Sequence, residues 1–173
     1  MPSPFTSRVT RTALGILVGL AALALPACGG SSKAATPTKI TKLGPKVVPA
    51  ELLGLTVSSE SVKQTEGQKR PYIDAIGLYS LRKGPLLEAT LEIGRFSKEA
   101  DYKSQGFKSS VVSQIGATEP KAYRMGTRTV WLTTGRRQSL SVWFQDRYFF
   151  ILTARDDYPT PRTLLRRALE IKP

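Results

Sequence analysis

Between Leu86 and Phe96 the chain alternates: Leu87, Ala89, Leu91 and Ile93 interleave with Glu88, Thr90 and Glu92. A period of two sends successive side chains to opposite faces of a strand, so this stretch predicts one buried face and one wet one. Tyr72 to Arg82 is a second strand-like run, and Lys83-Gly84-Pro85 between the two suits a hairpin loop. Past Phe96 the period lengthens. Phe107, Val111 and Ile115 fall four residues apart and predict an apolar helical stripe. Ser97 is expected to cap that helix, with Glu99 and Asp101 near the positive end of its dipole. Gly116 is the expected stop, and Gly106 predicts a bend or two short helices.

The next stretch reads as a meander. Arg128 to Thr134 leads through Gly135 into Gln138 to Gln145, and Asp146-Arg147 turns the chain into Tyr148 to Ala154. A two-residue turn there places Phe144 opposite Phe149, Val142 opposite Ile151, and Trp143 opposite Phe150 on the other surface. The unbroken Phe149-Phe150-Ile151-Leu152 run predicts a strand covered on both sides. Thr160-Pro161 then opens a helix, because proline is preorganised for the first helical position. Its buried stripe is Leu164, Leu165, Ala168 and Leu169, with Arg162, Arg166, Arg167 and Glu170 outside. Hairpin, helix, three-stranded meander, helix: the expected class is α+β, an antiparallel sheet with packed helices. In that element order residues 52–173 resemble the PsbP-like fold of several small exported lipoproteins.

The start of the chain follows other rules. Met1 to Thr12 carries Arg8 and Arg11 and no acid, and Ala13 to Leu25 is uncharged and apolar, the layout of a signal peptide. The run is short against the roughly 20 residues of a membrane span. Pro26 ends it, and Cys28, the only cysteine, follows Ala27. Leu25-Pro26-Ala27-Cys28 resembles the lipobox of bacterial lipoprotein precursors, and the whole precursor is similar to actinobacterial lipoproteins of unknown role. That resemblance implies cleavage before Cys28, diacylglyceryl on its thiol, and attachment to the extracytoplasmic face of the cell membrane. Plain secretion and an uncleaved anchor are the competing readings. Two acyl chains hold a protein stably where one is marginal. The expected organisation is a signal peptide at 1–27, a flexible basic linker at 28–49, rich in Gly, Ser, Thr, Pro and Lys, and one globular domain at 50–173.

Composition narrows the chemistry. The chain has 173 residues, 26 Lys and Arg against 13 Asp and Glu, and no histidine. One cysteine allows no internal disulfide, and the lack of histidine removes His-based triads and the usual zinc ligand sets. No phosphate-cradling glycine motif or nucleophile elbow occurs. Glu88 and Glu92 stand about 13 Å apart along a strand, beyond the about 5–9.5 Å of paired-carboxylate glycosidases, and read as a solvated face. Asp156-Asp157 reads as loop. No catalytic residue, metal or cofactor is therefore expected.

The basic excess points to anionic partners. Arg136-Arg137 and Arg82-Lys83 at predicted hairpin tips, and Lys69-Arg70 before the first long strand, are the candidate anion-binding residues. The expected function is a non-enzymatic, membrane-anchored module presenting this basic surface to anionic lipid, wall polymer or an envelope protein. Export disfavours nucleic acid as partner. The alternative is a carrier of lipid or another hydrophobic ligand in a cleft between sheet and helix.

Overall fold

A computed structural model of the chain describes residues 38–62, 67–70, 72–115, 119–135 and 138–173. In chain order the elements are β1 (Thr38–Lys39), β2 (Thr41–Lys42), a 3-10 turn (Pro45–Val47), β3 (Glu51–Leu52), β4 (Leu55–Ser59) and β5 (Lys69–Arg70). Then come β6 (Ile73–Lys83), β7 (Leu86–Phe96), α1 (Gln105–Ser113), β8 (Lys121–Met125), β9 (Arg128–Gly135), β10 (Gln138–Gln145), β11 (Tyr148–Arg155) and α2 (Pro161–Ala168). The class is α+β, mostly antiparallel sheet with two helices among the described residues. One nine-stranded sheet runs β3-β4-β6-β7-β11-β10-β9-β8. β2 joins it in parallel to β6 at Ala75 and Ile76, beyond the reach of β4, which pairs with Tyr79 to Arg82. β1 and β5 form a separate two-stranded ladder.

Both faces of this sheet are covered because its central strands are apolar on both sides. On β11, Phe150, Leu152 and Ala154 face one way and Phe149 and Ile151 the other. On the first face they meet Ile93, Leu91 and Ala89 of β7 in register, and α2 lays Leu164, Leu165 and Ala168 over them. Trp143 stacks on Phe150 there, ring centroids 4.9 Å apart. Arg128 of β9 donates to the Leu169 carbonyl, tying the C-terminal end of α2 to the sheet.

On the second face α1 contributes Val111 and Val112, packed with Phe96, Val142, Phe149 and Ile151. Phe96 meets Phe107 edge-on and Phe149 tilted, both at 5.1 Å. Gly94 faces Phe149 across the ladder, and a Cβ on it would collide with that ring. The same end of the sheet is closed by charge: Asp74 accepts from Arg95 at 2.6 Å and from Arg147 at 2.9 Å. Arg147 also donates to the Phe96 carbonyl at 2.6 Å.

Four expectations change. Residues 38–49, read as part of a flexible linker, belong to the fold: Ile40 is 2% exposed, Leu43 and Val48 are buried, and the Tyr79 hydroxyl donates to the Gly44 carbonyl at 2.9 Å. Apolar side chains recurring among lysines and threonines outweigh the linker-like composition. Ser104, not Ser97, caps α1, its hydroxyl accepting from the Phe107 amide at 3.4 Å. The Ser97 hydroxyl instead hydrogen-bonds the Glu99 carboxylate and holds its pKa below the usual range. Gly106 interrupts nothing, since it lies in the first turn of a single helix. Finally, the supposed wet face of β7 is covered, with Glu88 9% and Glu92 6% exposed. Glu92 sits between Leu78 of β6 and Ile151 of β11 in register, on the face that carries α1.

Candidate functional site

Antiparallel pairing from β6 through β7, β11, β10 and β9 gives β6, β11 and β9 one direction. Their C-terminal ends therefore share one end of the sheet, together with the start of β8 and the chain entering α2. At that end, between α2 and the β8 to β11 part of the sheet, lies a cavity of about 610 Å³.

Register builds its floor. Lys121 faces Leu132, Leu132 faces Ser141 and Ser141 faces Leu152, one row across four strands, with Ser139 and Ala154 in the next row. Pro161 and Leu165 of α2 form the opposite wall, and Glu119, Lys121, Tyr123 and Arg162 bring polar groups to the cavity. The space exists because side-chain size changes along β10. Trp143 and Phe150 fill the volume on this face of the sheet, while two residues further toward the cavity the chain offers Ser141, then Ser139 and Ala154. Short side chains under a helix seated on large ones leave a gap.

The charges in this region fall into two groups. Arg155 is engaged by Asp157, with Nε at 2.8 Å from Oδ1, and Arg167 by Glu170 at 2.6 Å. Lys121 and Arg162 line the cavity and make no ion pair among the described residues. Asp157, one of the adjacent carboxylates singled out in the sequence, thus serves a turn.

Among the described residues, those selected from sequence as anion ligands do not gather into one cluster. Arg82 and Lys83 lie at the cavity end of the sheet, but β6 is four strand spacings from β9, about 19 Å, and Arg82 reaches back to its own turn at the Pro85 carbonyl, 3.4 Å away. Lys69 and Arg70 lie on β5, three residues ahead of the opposite end of β6. Exposed tips of different strands are held apart by the sheet between them. Arg136, Arg137 and Cys28 lie outside the described residues. Sequence reasoning missed Lys121, read no strand there, and placed Arg162 only on a solvated helix face. The signal available was the small-residue pattern Ser139, Ser141 on a strand otherwise carrying Leu140, Val142 and Trp143.

Among the described residues no group of three or more His, Cys, Asp or Glu side chains comes together, and no helix is long and apolar enough to cross a membrane. No family model, no curated protein and no solved structure matches the chain.

Proposed function

We propose that this chain is a non-enzymatic lipoprotein of the bacterial envelope whose domain binds a hydrophobic or amphiphilic ligand in the groove between α2 and the sheet. Cys28 carries the diacylglyceryl anchor and holds the domain at the extracytoplasmic face of the cell membrane. The domain is PsbP-like, with β6–β7 as its hairpin and β9 to β11 as its meander. The observation carrying the reading is the cavity of about 610 Å³ floored by Leu132, Leu152 and Ala154 and walled by Pro161 and Leu165. Small-molecule sites are concave, mostly apolar, about 300–1,000 Å³ in volume, and carry a few placed polar groups. Ser139 and Ser141 supply such groups here.

The competing role, a basic surface gripping wall polymer, anionic lipid or an envelope protein, has less behind it. Of its residues, the described Lys69 and Arg70 and the described Arg82 and Lys83 lie near opposite ends of β6.

Native mass spectrometry of the full chain tests the proposal. The protein should carry a bound lipid-sized mass that is lost on denaturation, and Ser139→Trp, which fills the mouth, should lose it while circular dichroism stays unchanged. Well-folded wild-type protein that is always empty, and takes up nothing from added envelope lipids, would overturn the reading.

A further inference from the structure

We propose that the ligand is an anionic amphiphile, a carboxylate or phosphate ester on an apolar chain, with its head group held by Lys121 and Arg162. The inference rests on the groove reading above and adds the chemistry of the occupant.

Lys121 and Arg162 reach the cavity from opposite sides, one from the edge strand β8 and the other from the first turn of α2. Five other guanidinium groups are already engaged: Arg95 and Arg147 by Asp74, Arg155 by Asp157, Arg167 by Glu170 and Arg128 by a helix-end carbonyl. Lys121 and Arg162 form no ion pair among the described residues. Among the described residues Glu119 is the one acid lining the cavity, against the two cations Lys121 and Arg162. An arginine offers a planar fork to carboxylate or phosphate and a lysine a mobile point charge, a pairing suited to a small oxyanion. Between them the lining carries Leu132, Leu140, Leu152 and Ala154 together with Thr133, Ser139 and Ser141. An occupant matching both features has one charged end and one hydrocarbon body. A cationic head would meet net repulsion, and a neutral one would leave the two cations to water.

Both cations are exposed, so their pull is tempered by solvent. Two such contacts are together worth on the order of a tenfold change in affinity at low salt, less as salt rises.

The test is calorimetric titration of the full chain with four ten-carbon probes: decanoate, decyl phosphate, decanol and decyltrimethylammonium. At low salt, decanoate or decyl phosphate should bind about tenfold more tightly than decanol, with decyltrimethylammonium weakest. The tighter of the two anions names the head group. Lys121→Gln with Arg162→Gln should bring both anions down to the affinity that the same variant shows for decanol, and raised salt should shrink the preference in the wild type. Decanol equal to both anions, or an anion preference untouched by the double substitution, would overturn the inference while leaving the groove reading intact. Failure of all four probes to bind folded protein would overturn both.

Discussion

At the scale of single residues, the closest fit in the fold is Phe149 lying over Gly94. The aromatic ring occupies the space a side chain would take, so the ladder partner of Phe149 has to be glycine. Gly94→Ala is expected to destabilise by about 1–3 kcal/mol, the range for overpacking a filled interior. Phe149→Leu in the same chain should recover part of that loss, since the two residues are in contact and their effects couple. Chemical denaturation of the two single variants and the double variant measures it. Tyr79 gives the fold a pH signature on the alkaline side. Burial raises its phenol above the ordinary value by disfavouring phenolate. The folded state then holds the proton more tightly than the unfolded state does, so stability from this group is complete below about pH 10 and falls as pH climbs through the raised value. Tyr79→Phe should flatten that alkaline decline and cost about 0.5–1.5 kcal/mol at neutral pH for the lost bond to Gly44. Urea midpoints measured from pH 8 to pH 11 read both effects.

At the scale of elements, legibility followed how much each segment buries. β7, β10 and β11 are long and carry alternating or continuous apolar runs, and α2 has a clean stripe after Pro161, so their periodicity is readable from the chain alone. β1 and β2 are two residues each and leave only Ile40 between them as a deeply buried side chain, too brief for any period to show. β8 is an edge strand whose residues are exposed but for half-buried Met125, and pairing on one side alone leaves no hydrophobic mark. Glu88 and Glu92 show a different limit. Alternation says which residues share a face, but whether that face meets water depends on packing elsewhere in the chain. A cleft between sheet and helix was expected only as the alternative, and its place was not readable for the same reason, because a void between a helix and a sheet is a property of neither segment. Ile40→Ala distinguishes a built-in segment from a tether. It should lower unfolding free energy by about 2–4 kcal/mol, as for other large-to-small changes in a core, whereas a solvated linker residue would change thermal and urea midpoints by nothing measurable.

At the scale of the whole molecule, the proposed anchor at Cys28 and the first strand at Thr38 are separated by nine residues, about 30 Å if fully extended. The domain would thus stay within a few nanometres of the headgroups, where an anionic amphiphile leaving the bilayer has little water to cross. β11 sets how this body comes apart. Its alternate residues belong to the two hydrophobic clusters on opposite faces of the sheet, so neither side can melt and leave its neighbour intact. Differential scanning calorimetry should therefore record one endotherm whose van't Hoff and calorimetric enthalpies agree. Two resolved peaks would mean that the helices on the two faces report to separate cooperative units.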